Sequence, residues 1–207
     1  MKIGVFDSGI GGLFVSRELE KKYPNDQIIF RADTKHMPYG NKEKNLIIKC
    51  ANHMIDVLMH EKVDIIVVAC GTVSSLISYL NSPVPIIGVI EPLCDEAYKT
   101  TKNKKIGVIA TVSTVKSRSF PKCLKKIDKN IKTYTYGCPT LASLIENHAK
   151  ETDIIPPLYE SLSYLVKKNV DTIILGCTHY SWIIDLAKKM FQNINFVDSS
   201  KIISNLF

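Results

Sequence analysis

The chain has 207 residues, 45% of them hydrophobic and 23% charged, with a formal net charge of +7; this size suits one large domain or two small ones. No apolar run approaches the roughly 20 residues that span a bilayer, no signal-peptide core follows Met1, and the lysines fall in scattered pairs (Lys21-Lys22, Lys104-Lys105, Lys188-Lys189) rather than among aromatics, which argues against membrane, secreted and nucleic-acid-binding classes. Six cysteines, at 50, 70, 94, 123, 138 and 177, show no CxxC pair, no zinc-ligand spacing and no disulfide framework, so free thiols in a soluble, cytoplasmic protein without a metal are expected.

The first predicted strand, KIGVFD at 2–7, runs into a glycine-rich turn. There Ser8, Gly9, Gly11 and Gly12 bring backbone amides within reach of an anion such as a substrate carboxylate. Neither a spaced Gly-x-Gly-x-x-Gly with a ribose acid nor a pyridoxal-phosphate lysine is evident, so no cofactor is expected. A strand at 27–33 and a helical pattern at 43–61 follow, then a strand at 63–70 that stops on Cys70, Gly71 and Thr72. After a strand at 84–91 and a polar stretch at 98–105 come a strand at 105–111, a helical pattern at 156–168, a strand at 171–177 that stops on Cys177, Thr178 and His179, and a strand at 194–199. Continuous Ile/Val runs alternating with helices point to parallel sheets covered on both faces.

Two phrases recur. KIGVFDSG at 2–9 returns as KIGVIATV at 105–112, and VDIIVVACGT at 63–72 returns as VDTIILGCTH at 170–179, at offsets of 103 and 107. Nearly equal offsets predict an internal duplication. The expected fold is therefore α/β, with two pseudo-symmetric halves, 1–95 and 96–207, each a mostly parallel sheet flanked by helices, and the active site in the cleft between them. Functional groups gather at the carboxyl ends of parallel strands, so Cys70 and Cys177 are expected to face one cleft from opposite sides. A thiol beside a helix N-terminus is expected to ionise more readily. One thiolate then takes a proton from a carbon centre, the opposite thiol returns one to the other face, and the stereocentre inverts.

Six segments in order, FDSGIGGL (6–13), ADTKHMPYGNK (32–42), VACGT (68–72), GVIEP (88–92), IGVIAT with TVKS (106–117) and GCTHY (176–180), resemble the glutamate racemases of the cofactor-independent aspartate/glutamate racemase superfamily. The resemblance runs through nearly the whole chain. It implies interconversion of L- and D-glutamate for peptidoglycan precursors, with Cys70 and Cys177 as the proton-transferring pair and Asp7 and His179 as the groups that tune them. It also implies substrate binding by Ser8, Pro38, Tyr39, Gly40, Gly71, Thr72, Thr178 and Glu146, and a homodimer. His36, His53, His60 and His148 read as surface or helix histidines, Asp33 as a strand-end cap and Cys138 as packing.

The chain departs from that family in three places. Gly71 replaces the asparagine that usually follows the first cysteine, which predicts a roomier pocket and tighter glutamate binding once an asparagine is restored. Ser181 stands where proline is usual. Family members usually run some tens of residues past the position of Phe207, in a segment that packs on the first half. Two other readings therefore stay open: an aspartate or broad-specificity racemase, and a catalytically impaired racemase-fold binding protein. A link to gyrase inhibition, known for some glutamate racemases, finds no specific support in the residues.

Overall fold

The structure, a computed structural model, describes residues 1–199. The first half contains β1 (Lys2–Asp7), α1 (Gly12–Lys22), β2 (Gln27–Ala32), α2 (Lys44–His60), β3 (Ile65–Val68), the single-turn α3 (Gly71–Ser74) and β4 (Ile86–Gly88). α4 (Ile90–Thr100) leads to the second half: β5 (Lys105–Ala110), α5 (Val112–Ser117), α6 (Ser119–Ile127), β6 (Lys132–Gly137), α7 (Leu141–Glu146), α8 (Glu151–Val166), β7 (Thr172–Leu175), α9 (Ile184–Met190) and β8 (Asn195–Asp198). The sheets run in the orders β2-β1-β3-β4 and β6-β5-β7-β8, and their strand pairs are parallel. Each strand of the second sheet trails its counterpart by 103 to 109 residues, so the two halves are pseudo-symmetric, as the repeated phrases predict.

Period-two alternation sends the strand side chains to two faces. On one face of the first sheet, Phe6, Ile66 and Val68 pack on Ile47, Ala51, Ile55 and Leu58 of α2, an apolar stripe at helical spacing. In the second sheet Ile109, Ile173 and Leu175 pack on Leu158, Leu162 and Leu165 of α8. The remaining faces join in one cluster, where Ile3, Val5 and Val67 meet Val108, Ile174 and Leu124 through Leu93, Cys94 and Ala97 of α4. The expected division after residue 95 falls inside α4.

Three elements differ from expectation: the strand expected at 84–91 shortens to β4, and Ile90 and Glu91 already belong to α4. β6, KTYTYG, is absent from the predicted strands because its residues are only part-buried or exposed, as befits an edge strand, and it lacks an Ile/Val run; its β-branched and aromatic residues were the available signal. α8 starts at Glu151 rather than at Pro156 and carries Pro156 and Pro157 inside it. Acidic Glu151 and Asp153 in its first turn favour the earlier start. None of the described helices is long and apolar enough to cross a membrane.

Candidate active site

Strand register places the two cysteines. Phe6 pairs with Val68 and Ile109 with Leu175, and one residue on, Ala69 donates to the Phe6 carbonyl and Gly176 to the Ile109 carbonyl, each at 2.8 Å. Cys70 and Cys177 therefore emerge at equivalent strand ends, each followed at once by a helical turn: α3 after Cys70 and the 3-10 turn Thr178–Ile183 after Cys177. Both side chains are buried.

Glycines let these ends meet. A Cβ on Gly71 would strike the carbonyl oxygen of Gly176 and stand 4.0 Å from the Cα of Cys177. Position 71 is therefore not the opening expected from its lack of a side chain: the room an asparagine would need is occupied by backbone of the other half. A Cβ on Gly11 would strike the Thr178 side chain, and one on Gly9 would lie 2.9 Å from the Glu146 carboxyl carbon. The turn does hold a carboxylate, and it is the protein's own: the Ile10 amide donates to both oxygens of Glu146 at 3.3 Å.

Around Cys70 the setting is acidic and dry. The Ser8 hydroxyl lies 3.4 Å from its sulphur and donates at 3.4 Å to Asp7 Oδ1, which also accepts from the Gly9 amide at 3.1 Å. Asp7 is fully buried, and its Oδ2 has no hydrogen-bond partner among the described groups. Burial raises the Asp7 carboxyl above its usual range, against the pull of His179. Burial, with Asp7 beside it, also pushes the Cys70 thiol up to about 12. This corrects the expectation of easier ionisation: one helical turn does not offset desolvation beside a carboxylate.

Around Cys177 the setting is cationic. His179 Nδ1 lies 3.5 Å from the sulphur, and its Nε2 is hydrogen-bonded to Glu146. Burial works against the imidazolium, but Cys177, Glu146 and Asp7 together raise its pKa to about 11. Glu146, conversely, is held below its usual range: burial would lift it, and the hydrogen bond and charge of His179 prevail.

The other expected residues surround these two centres. Thr72 Oγ1 is 2.9 Å from Thr111 Oγ1, which is 2.9 Å from Thr114 Oγ1, a hydroxyl chain that crosses between the halves. Tyr39 and Gly40 lie in a buried 3-10 turn entered from half-buried Pro38. The Tyr39 hydroxyl donates to Asp33 at 2.6 Å, and a Cβ on Gly40 would meet Thr111 at 2.7 Å. Thr178 is buried against Gly11. The sequence reading missed Thr111 and Thr114. The signal was present, since the 103-residue echo sets Thr111 opposite Ser8.

The sequence model of the Asp/Glu/Hydantoin racemase family matches residues 15–206. A glutamate racemase from a Sulfurihydrogenibium species is 42% identical over 205 residues, covering 97% of this chain and 79% of that protein. The crystal structure of a glutamate racemase isoform from Bacillus anthracis superposes with a TM-score of 0.90 at 34% identity, covering 98% of this chain and 78% of the other. That of the Francisella tularensis glutamate racemase in complex with D-glutamate gives 0.89 at 32% identity, covering 99% and 78%.

Proposed function

The chain belongs to the Asp/Glu/Hydantoin racemase family, and from that premise we propose that its two-cysteine cleft interconverts L- and D-glutamate without a cofactor. One observation carries the mechanism: two buried thiols at equivalent strand ends meet across the Gly71–Gly176 contact with oppositely charged neighbours. Deprotonation at one face of the α-carbon and protonation at the other need one sulphur as base and the other as acid. Beside Asp7, Cys70 keeps its proton and serves as the acid. His179 Nδ1 stands 3.5 Å from the Cys177 sulphur, within reach to exchange a proton with it, and Cys177 serves as the base. After one turnover the assignment is reversed, and the opposite enantiomer is processed.

Ser8, Thr72, Thr178, Pro38, Tyr39, Gly40 and Gly71 form the substrate wall in this reading. The unpartnered Asp7 Oδ2 is a buried acceptor suited to a substrate ammonium group. Glu146 belongs with His179, as the carboxylate that keeps the imidazole charged and oriented, rather than with the substrate. Glutamate is preferred to aspartate because the relatives at 37–42% identity are named glutamate racemases, and D-glutamate made this way serves cell-wall peptidoglycan. A cytoplasmic location fits six free cysteines. A homodimer is supported by large apolar side chains left on the surface, Trp182 among them at 48% exposure, and sedimentation equilibrium tests it.

The decisive experiment follows L- and D-glutamate, and separately L- and D-aspartate, by circular dichroism in deuterated water. Decay of the glutamate signal with deuterium entering the α-position is the expected result. Decay with aspartate alone reassigns the substrate, and no exchange with either overturns the racemase reading.

A further inference from the structure

Asp33 beyond the end of β2, His36 in the following loop and Cys50 in α2 each place one ligand atom within 4.8 Å of the others. We propose that these three side chains form a binding site for a zinc-type divalent ion, which clips the 33–41 loop to α2.

The donor set is one carboxylate, one imidazole and one thiol, a mixture that suits Zn²⁺ or Co²⁺ and is poor for Mg²⁺ or Ca²⁺. Zinc bonds of about 2.0–2.3 Å separate tetrahedral donors by about 3.5 Å. His36 Nδ1 now lies 2.8 Å from Asp33 Oδ2, so an entering ion replaces that direct contact with two coordination bonds after a small rotation of the ring. Cys50 and Asp33 are buried, while the His36 side chain is 38% exposed and gives the ion a way in.

Groups that orient the ligands are already in place. The Tyr39 hydroxyl donates to Asp33 Oδ2 at 2.6 Å, and the His36 amide donates to Oδ1 at 3.3 Å; such outer partners fix ligand geometry. Three protein ligands leave the fourth position to water. Tyr39 and Gly40 lie on the clipped loop, and Gly40 packs on Thr111 of the other half, so the ion would stiffen one wall of the cleft.

Titration of the metal-stripped protein with Co²⁺, followed by thiolate-to-cobalt charge-transfer absorption, tests the site. The band is expected in the unaltered protein and in Cys70→Ser and Cys177→Ser. It should vanish in Cys50→Ser, and His36→Asn should weaken Co²⁺ binding by at least about 100-fold. Zn²⁺ should raise the melting temperature of the unaltered protein and not of His36→Asn, whose half-exposed side chain spares the core. A band that persists in Cys50→Ser and His36→Asn, one that disappears in Cys177→Ser, or no band at all overturns the proposal.

Discussion

Cys70 and Cys177 stand on two copies of one sheet, yet the copies differ at the positions beside them. Asp7 at the end of β1 corresponds to Ala110 at the end of β5, because they take the same register against Ala32 and Gly137. Thr72, two residues after the first cysteine, corresponds to His179, two residues after the second. The first centre thus has a carboxylate where the second has a methyl group, and the second has an imidazole where the first has a hydroxyl. Symmetry of the backbone brings two thiols to equivalent strand ends; asymmetry of the neighbours sets a carboxylate beside Cys70, which helps to hold its proton, and an imidazole beside Cys177. A fully symmetric cleft would need another way to set one acid against one base.

Serine in place of either cysteine is the strongest break of this comparison. Cys70→Ser and Cys177→Ser should each lower racemisation by at least about 10³-fold with the fold intact, as polarimetry and far-ultraviolet dichroism would show; a racemase at full speed with either serine would sink the two-thiol mechanism. His179→Asn should cost about 10²-fold. The two enantiomers are equally stable, so kcat/KM must fall equally in both directions, while kcat and KM separately are free to change unequally.

Glu146→Gln sharpens the comparison through pH. The folded pKa of His179, about 11, exceeds its ordinary 6.5, so the stabilisation it adds is full below pH 6.5 and fades as pH rises towards 11. Glu146, held low, contributes above its ordinary range and loses its contribution in acid. Denaturant titrations should therefore show the unaltered protein weakening between pH 6.5 and 11 more steeply than Glu146→Gln. Equal slopes would remove the charged pair from the account.

Smaller effects test where the two halves touch. Gly71→Ala drives a methyl group into the Gly176 carbonyl, so it should cost about 1–3 kcal/mol of stability and lower kcat/KM by roughly tenfold. Gly71→Asn should share that penalty rather than tighten glutamate binding. Thr111→Ala is the mildest: Thr111 accepts the Thr114 amide at 3.4 Å at the start of α5, a cap worth about 1 kcal/mol or about 2–4 °C in a chain of this length. Its counterpart Ser8 touches the Cys70 sulphur, so Ser8→Ala should alter rate more than melting temperature.

Much of this was legible in the residues. The repeated phrases carried the pseudo-symmetry because parallel strands buried on both faces must be written in Ile and Val, and the polar residues closing them stand out against that background. β6 escaped because an edge strand has no such constraint. The pairing of Glu146 with His179 and the near-contact of Gly71 with Gly176 join positions 33 and 105 residues apart, and no local pattern reports which backbone will fill the space beside a glycine. The raised Cys70 pKa escaped for a related reason: proximity to a helix start is readable from sequence, whereas desolvation is a property of everything packed around it. Asp33, His36 and Cys50 follow no ligand spacing and meet only through the packing of α2.

The cluster that runs through α4 has a consequence for folding. Leu93, Cys94 and Ala97 are almost fully buried against strands of both sheets, and burying one leucine is worth about 1.5–3 kcal/mol. A gene split on either side of this helix would leave one fragment with an uncovered sheet face, so fragments should associate when expressed together and aggregate when expressed apart. Neither half closes its own core: α4 belongs to both, and the face each sheet turns towards it is covered by the other half.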